Sequence, residues 1–99
     1  MEEDPQEALA KCRAGIDDVD RRIVELLNER TIIVERIGAI KQSFTMPIYE
    51  PKREEDVYKN IAVNNHGPMP ADSVKRVFER IIDEMRTIQR NRMLEGKKP

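Results

Sequence analysis

Apolar residues recur along the first half of the chain at Leu9, Cys12, Ile16, Val19, Ile23, Leu26, Ile33, Ile37, Ile40 and Phe44. Steps of three and four sustained over this distance mark a helix packed along one seam. Asp4-Pro5-Gln6-Glu7 supplies its start, with Asp4 as a cap, Pro5 in the first turn and Glu7 where a capping-box partner belongs. No further proline occurs before Pro47, so the pattern predicts a first helix over 5–44. A second, over 51–65, opens at Pro51, carries Val57 and Ile61 inward and stops at the breaker cluster Asn64-Asn65-His66-Gly67-Pro68. The third, over 71–94, runs through Val74, Val77, Phe78, Ile81, Ile82, Met85 and Ile88, and leaves a polar, frayed tail at 95–99. The expectation is an all-α chain of one long and two shorter helices, forming a single domain over 1–99.

A helix of about 38 residues extends roughly 57 Å, whereas a compact domain of about 100 residues has a radius of gyration near 13 Å. The apolar seam continues through the overhang and needs a partner there. A second copy is the simplest one, because twofold homodimers are the commonest oligomers.

Composition narrows the setting. Hydrophobic residues make up 38% and charged residues 37%, with no Trp, two Tyr and two Phe, which suits amphipathic helices better than strands. A net charge of -1 with interleaved signs offers no footprint for a phosphate backbone, so nucleic acid is not an expected partner. Cys12 and His66 stand alone, which excludes an internal disulfide and leaves no metal cluster. No apolar run approaches the roughly 20 residues that span a bilayer, and the acidic Met1-Glu2-Glu3-Asp4 does not resemble an export signal. The expectation is a cytoplasmic chain with no membrane partner.

Several polar residues break the apolar pattern. Continuing from Ile23 and Leu26, the register puts Arg30 where an apolar residue is due, and a guanidinium on a core stripe is costly unless paired. Lys41 lies beside Ile37, Ile40 and Phe44, and Arg13 beside Leu9, Cys12 and Ile16. Arg53 and Glu54 precede Val57 by four and three residues, so both can lean toward the buried face; Gln89 falls four after Met85. Each has an ordinary explanation: Arg30 sets register in a coiled seam, Arg13 and Lys41 are solvated flanks, Glu54 complements the helix dipole and Gln89 sits at a surface edge. Together they describe a dry, positive pocket for a small molecule bearing more than one carboxylate. No nucleophile is paired with a base, so chemistry there rests on electrostatics and positioning.

The run Arg13…Ile16-Asp17-Asp18-Val19-Asp20…Leu26-Leu27-Asn28-Glu29-Arg30 followed by Ile37-Gly38-Ala39-Ile40-Lys41 resembles the first helix of the all-helical chorismate mutases. Pro47-Ile48-Tyr49-Glu50-Pro51-Lys52-Arg53-Glu54 is similar to the start of that family's second helix, and Ile81-Ile82-Asp83-Glu84…Gln89 to its third. The resemblance covers roughly residues 6 to 92. It implies an intertwined homodimer that converts chorismate to prephenate by a Claisen rearrangement, in phenylalanine and tyrosine biosynthesis on the shikimate pathway, with no cofactor and no metal. By matching position it implies that Arg13 and Arg30 bind substrate carboxylates. Lys41 holds a carboxylate and the ether oxygen, and Gln89 donates to the same oxygen. Glu54 accepts from the substrate hydroxyl, supported by Glu50 and Arg53. Arg13 and Arg30 are 17 residues apart, about 25 Å along one helix, so Arg13 would come from the other subunit.

Two positions depart from the family. Met85 stands where a carboxylate-binding serine is frequent, and cannot donate that bond; Glu50 stands where Asp is frequent. Two other readings compete: an isochorismate pyruvate lyase of the same fold, against which Arg53-Glu54 speaks, and a non-catalytic helical dimerisation module. The residues leave open whether the chain docks onto another shikimate-pathway enzyme, whether it is feedback-regulated and which branch takes the prephenate.

Overall fold

The computed structural model describes residues 3–96 and contains three helices, α1 (Pro5–Ser43), α2 (Pro51–Asn64) and α3 (Ala71–Gly96), with no strand among the described residues. The all-α expectation holds, with small shifts at the ends. α1 and α2 each stop one residue sooner than the periodicity predicts, and α3 runs two residues further, through Glu95 and Gly96. The rest of the expected tail, residues 97–99, lies outside the described residues, as do Met1 and Glu2.

Local chemistry sets these boundaries. Asp4 caps α1: its Oδ1 accepts from the Gln6 amide at 3.4 Å and its carbonyl from the Ala8 amide at 2.9 Å. At the other end Thr45 adopts φ 56°, the Met46 amide donates to the Lys41 carbonyl at 2.7 Å, and the Thr45 amide to Gln42 at 3.4 Å. That pair of bonds is a Schellman stop, normally built on glycine. It turns the chain back at once, so the segment leading to α2 passes close to Lys41. The α2–α3 turn places Gly67 at φ 77°, where a side chain is disfavoured, and Asn65 secures it by accepting from the Gly67 amide at 3.1 Å.

The chain divides into two compact units, Met1–Ile33 and Val34–Pro99. Within its described part, the first is helix α1 alone, and its apolar seam is open: Ile16 is 58% exposed, Ile23 47% and Leu26 63%. Arg30 lies at the edge of that seam. It is half-buried, together with Leu27 and Thr31, whereas its expected seam neighbours Leu26 and Ile33 are exposed. Arg30 thus keeps its place in the three-four spacing while bordering a second, more shielded row of the helix.

The second unit holds the last turns of α1 with α2 and α3. Its buried positions on α1 are Val34, Gly38 and Lys41, one row at helical spacing. From α3 come Met85 and Gln89. Two of these buried side chains are polar, so the centre of the unit is a set of satisfied hydrogen bonds as much as an apolar core. Val57 and Ile61 of α2 are half-buried, consistent with the inward face expected of them.

Candidate active site

Lys41 is the most constrained of the candidate residues. It is 7% exposed; its Nζ donates to the Ile48 carbonyl at 2.9 Å and pairs with Glu50 Oε1 at 2.7 Å. Glu50 occupies the N-cap position of α2 yet makes no side-chain cap bond, because its carboxylate is committed to Lys41. Pro51 follows at the first helical position, where a missing amide hydrogen costs little. An ammonium has three hydrogens, so two bonds leave Lys41 one for a ligand.

Gln89 is 8% exposed, and its Nε2 donates to the Val34 carbonyl at 3.1 Å. Gln89 lies beside Gly38, one turn from Val34; a Cβ there would sit 3.5 Å from Gln89 Cγ, in ordinary contact. An amide nitrogen carries two hydrogens, so the bond to Val34 orients the second as a donor. Met85, one turn earlier on α3, is 7% exposed. The chain therefore has an apolar thioether at this buried position.

Glu54 leans inward, the direction its place before Val57 suggests. Its Oε2 forms an ion pair with Arg86 of α3, both side chains being about a quarter exposed. Arg86 also lies 5.0 Å from the centroid of the Tyr49 ring and 3.4 Å from Asp83 Oδ1. Sequence reasoning missed Arg86. Its signal was present: it stands four residues after Ile82 and three before Gln89, beside an apolar face, as Lys41 does on α1. Arg53, expected to lean inward with Glu54, is instead exposed. At the start of α2, positions one residue apart point about 100° away from each other, so only one of the two can face α3.

Two clefts of the second unit are bordered by site residues. Glu54 and Arg86 border an open cleft of about 500 Å³ with Tyr49, Tyr58 and Ile82 among its walls. Gln89 and Gly38 border a smaller one of about 120 Å³, beside the Arg92–Glu35 ion pair at 2.9 Å. Lys41 lines neither of these. In the cleft, Tyr58 has its phenol held above the ordinary 10.0, first by desolvation and then by the Glu79 and Glu54 carboxylates, with Arg86 opposing. Arg13 is exposed on the first unit, and Arg30 is half-buried there. No group of three or more His, Cys, Asp or Glu able to hold a metal ion occurs among the described residues.

Residues 12–90 match the family model of type II chorismate mutases, four-fifths of the chain. The chain belongs to the type II chorismate mutase family. A bifunctional chorismate mutase/prephenate dehydratase from Neisseria gonorrhoeae is 37% identical over 90 residues, which cover 91% of this chain and 24% of that protein. The chain thus spans about a quarter of the bifunctional relatives it matches. A chorismate mutase from Methanocaldococcus jannaschii is 29% identical over 86 residues, which cover 85% of this chain and 86% of the relative. Among solved structures, chorismate mutase from Helicobacter pylori in complex with prephenate superposes with a TM-score of 0.83 at 29% identity. That match covers 90% of this chain and 97% of the other. The sequence resemblance to the all-helical mutases is therefore borne out at the level of family and of fold.

Proposed function

We propose that this chain rearranges chorismate to prephenate as a single mutase domain. The observation that carries the reading is the pair of buried donors, Lys41 and Gln89, each anchored by the protein and each retaining a hydrogen. In the rearrangement the ether C–O bond breaks as a new C–C bond forms, and no proton, electron or leaving group is exchanged with the protein. The enzyme's task is to hold a compact substrate conformer and to stabilise negative charge developing on the ether oxygen. Lys41 and Gln89 are the donors for that oxygen, and their existing bonds fix both before substrate arrives. Glu54 accepts from the substrate hydroxyl, with Glu50 and Arg53 supporting that end of the site, and Arg30 binds a carboxylate. Met85 leaves the second carboxylate without the hydroxyl frequent in the family. No cofactor or metal takes part.

The active form is a homodimer in which Arg13 reaches the site of the partner chain. The open seam of α1 supports this, since so long a run of exposed Ile, Leu and Val on one helix calls for a covering surface. The fusion of mutase and prephenate dehydratase in the N. gonorrhoeae relative supports a link to enzymes that consume prephenate. No helix among the described residues is long and apolar enough to cross a membrane, in keeping with a cytoplasmic setting. The test is chorismate consumption by the purified chain over a series of protein concentrations, with the product identified. Prephenate as product, with activity per chain falling on dilution, is the expected result. Pyruvate released from isochorismate, with chorismate untouched, would move the assignment to the lyase, and inactivity with both would leave a structural module.

A further inference from the structure

Glu54 presents a difficulty for the proposed site. A substrate carrying two carboxylates must approach a half-buried glutamate, and a like charge a few ångströms away opposes binding in a partly dry cleft. The structure supplies an answer on the facing helix. Arg86 forms its ion pair with Glu54 through Oε2, leaving Oε1 as the oxygen available to a ligand. The guanidinium is itself held in place, against the Tyr49 ring at 5.0 Å and by Asp83 at 3.4 Å. A planar guanidinium stacked on a ring and tied to a carboxylate has few orientations open to it, so it fixes the rotamer of its partner. Tyr49 also precedes Glu50, the partner of Lys41, so one side chain of α3 meets both the segment leading into α2 and its first turn.

We propose that Arg86 is a positioning residue of the substrate site: it holds Glu54 by one oxygen, presents the other to the substrate hydroxyl, and cancels the carboxylate's charge toward a dianionic substrate. The proposal rests on the mutase reading and on the role given to Glu54. It also accounts for Met85. Where the serine frequent in the family is missing, a compensated Glu54 keeps the site attractive to an anion without a hydroxyl at that position.

The test is a set of four proteins, wild type, Arg86→Gln, Arg86→Lys and Glu54→Gln/Arg86→Gln, with prephenate dissociation constants, chorismate KM and kcat, and melting curves. Arg86→Gln leaves Glu54 uncompensated and should weaken prephenate binding and raise KM about tenfold, as expected for a partly screened like charge nearby. Arg86→Lys keeps the charge and should stay within about threefold of wild type. The double variant removes the stranded charge and should recover most of the lost affinity, a recovery that a purely structural role for Arg86 would not produce. Should Arg86→Gln fail to fold, Glu54→Gln alone decides: with Arg86 then facing only the Asp83 carboxylate, prephenate should bind as tightly as to wild type or tighter, with the cost falling on kcat. An active wild type whose affinity is unmoved by Arg86→Gln, a double variant no better than the single, or weaker binding by Glu54→Gln would each overturn the role of Arg86 alone. A wild type that neither turns over chorismate nor binds prephenate would overturn the mutase reading, and the positioning role with it.

Discussion

Replacing Lys41 by methionine separates the catalytic from the structural value of the buried ammonium. Methionine keeps the length of the side chain and its apolar packing but removes the charge and the donors. Structurally, the substitution deletes the bond to the Ile48 carbonyl and the pair with Glu50. A bond from a charged donor is worth about 1.5–3 kcal/mol net. The Glu50 carboxylate is 40% exposed and regains water, so its share must be discounted to roughly 0–1 kcal/mol. Buried methionine offsets part of the remainder, which leaves a net cost of about 1–2 kcal/mol. Domains of this size have about 5–15 kcal/mol to lose, so at least about 3 kcal/mol remains and under roughly 1% of the chain is unfolded at 25 °C. Loss of a preorganised donor to a developing oxyanion, by contrast, costs about 10²–10³ in rate. Unfolding cannot account for a loss of that size. The assay is kcat/KM for chorismate at 25 °C beside a melting curve. The expected pair is a drop of at least about a hundredfold in kcat/KM with melting lowered by roughly 5–15 °C. A drop below tenfold with the same melting shift would refute the assignment and make Lys41 a structural clasp for the α1–α2 turn.

Three further substitutions probe neighbouring arguments. Gln89→Glu should lose about a hundredfold in kcat at neutral pH, because a carboxylate cannot donate, and regain activity in acid; facing the Val34 carbonyl raises its carboxyl pKa, so recovery should begin above the ordinary value of about 4.3. A pH profile as flat as that of wild type would count against contact with the ether oxygen. Tyr58, whose phenol titrates above 10.0, favours the folded state while protonated, and that contribution is lost as pH rises through the folded value. Ultraviolet titration should therefore show a phenol ionising above 10.0 that is absent in Tyr58→Phe, and the variant should lose less stability in strong alkali; a Tyr58 that ionises at or below 10.0 would contradict the desolvation argument. Thr45→Gly relieves a β-branched residue at φ 56° and should raise stability by about 0.5–1 kcal/mol after the entropy of the extra glycine is subtracted. Lower melting for that variant would show that the threonine makes compensating contacts.

Much of the fold was legible because its signals are periodic or local. The three-four spacing from Leu9 to Phe44, the prolines at 5 and 51 and the Asn65–Pro68 breaker locate all three helices to within two residues. The family motif singled out Lys41, Glu54 and Gln89, and the structure places all three where the protein holds them by named bonds. Orientation within a turn was harder to read. Arg53 and Glu54 are adjacent and equally charged in magnitude, and only the position of Arg86 on α3 decides which one turns inward. That is a long-range contact, with no trace in the local pattern.

The apolar seam shows where periodicity misleads. Its members outnumber those of the shielded row, and a reading that ranks faces by hydrophobicity takes it for the core of the chain. Within the described residues it is the open face: Ile33, Ile37, Ile40 and Phe44 are all at least 41% exposed, while the buried row of the second unit is Val34, Gly38 and Lys41. A glycine and a lysine give that row a weak hydrophobic signal, yet both are buried: Gln89 of α3 lies beside Gly38, and Lys41 finds two acceptors in Ile48 and Glu50. The two faces answer to different demands. A face that meets the chain's own third helix around a polar site must be small and capable of hydrogen bonding, whereas a face left for another surface must be large and apolar. On the proposed reading, the strongest hydrophobic stripe in the sequence would serve association, and a weaker one the chemistry.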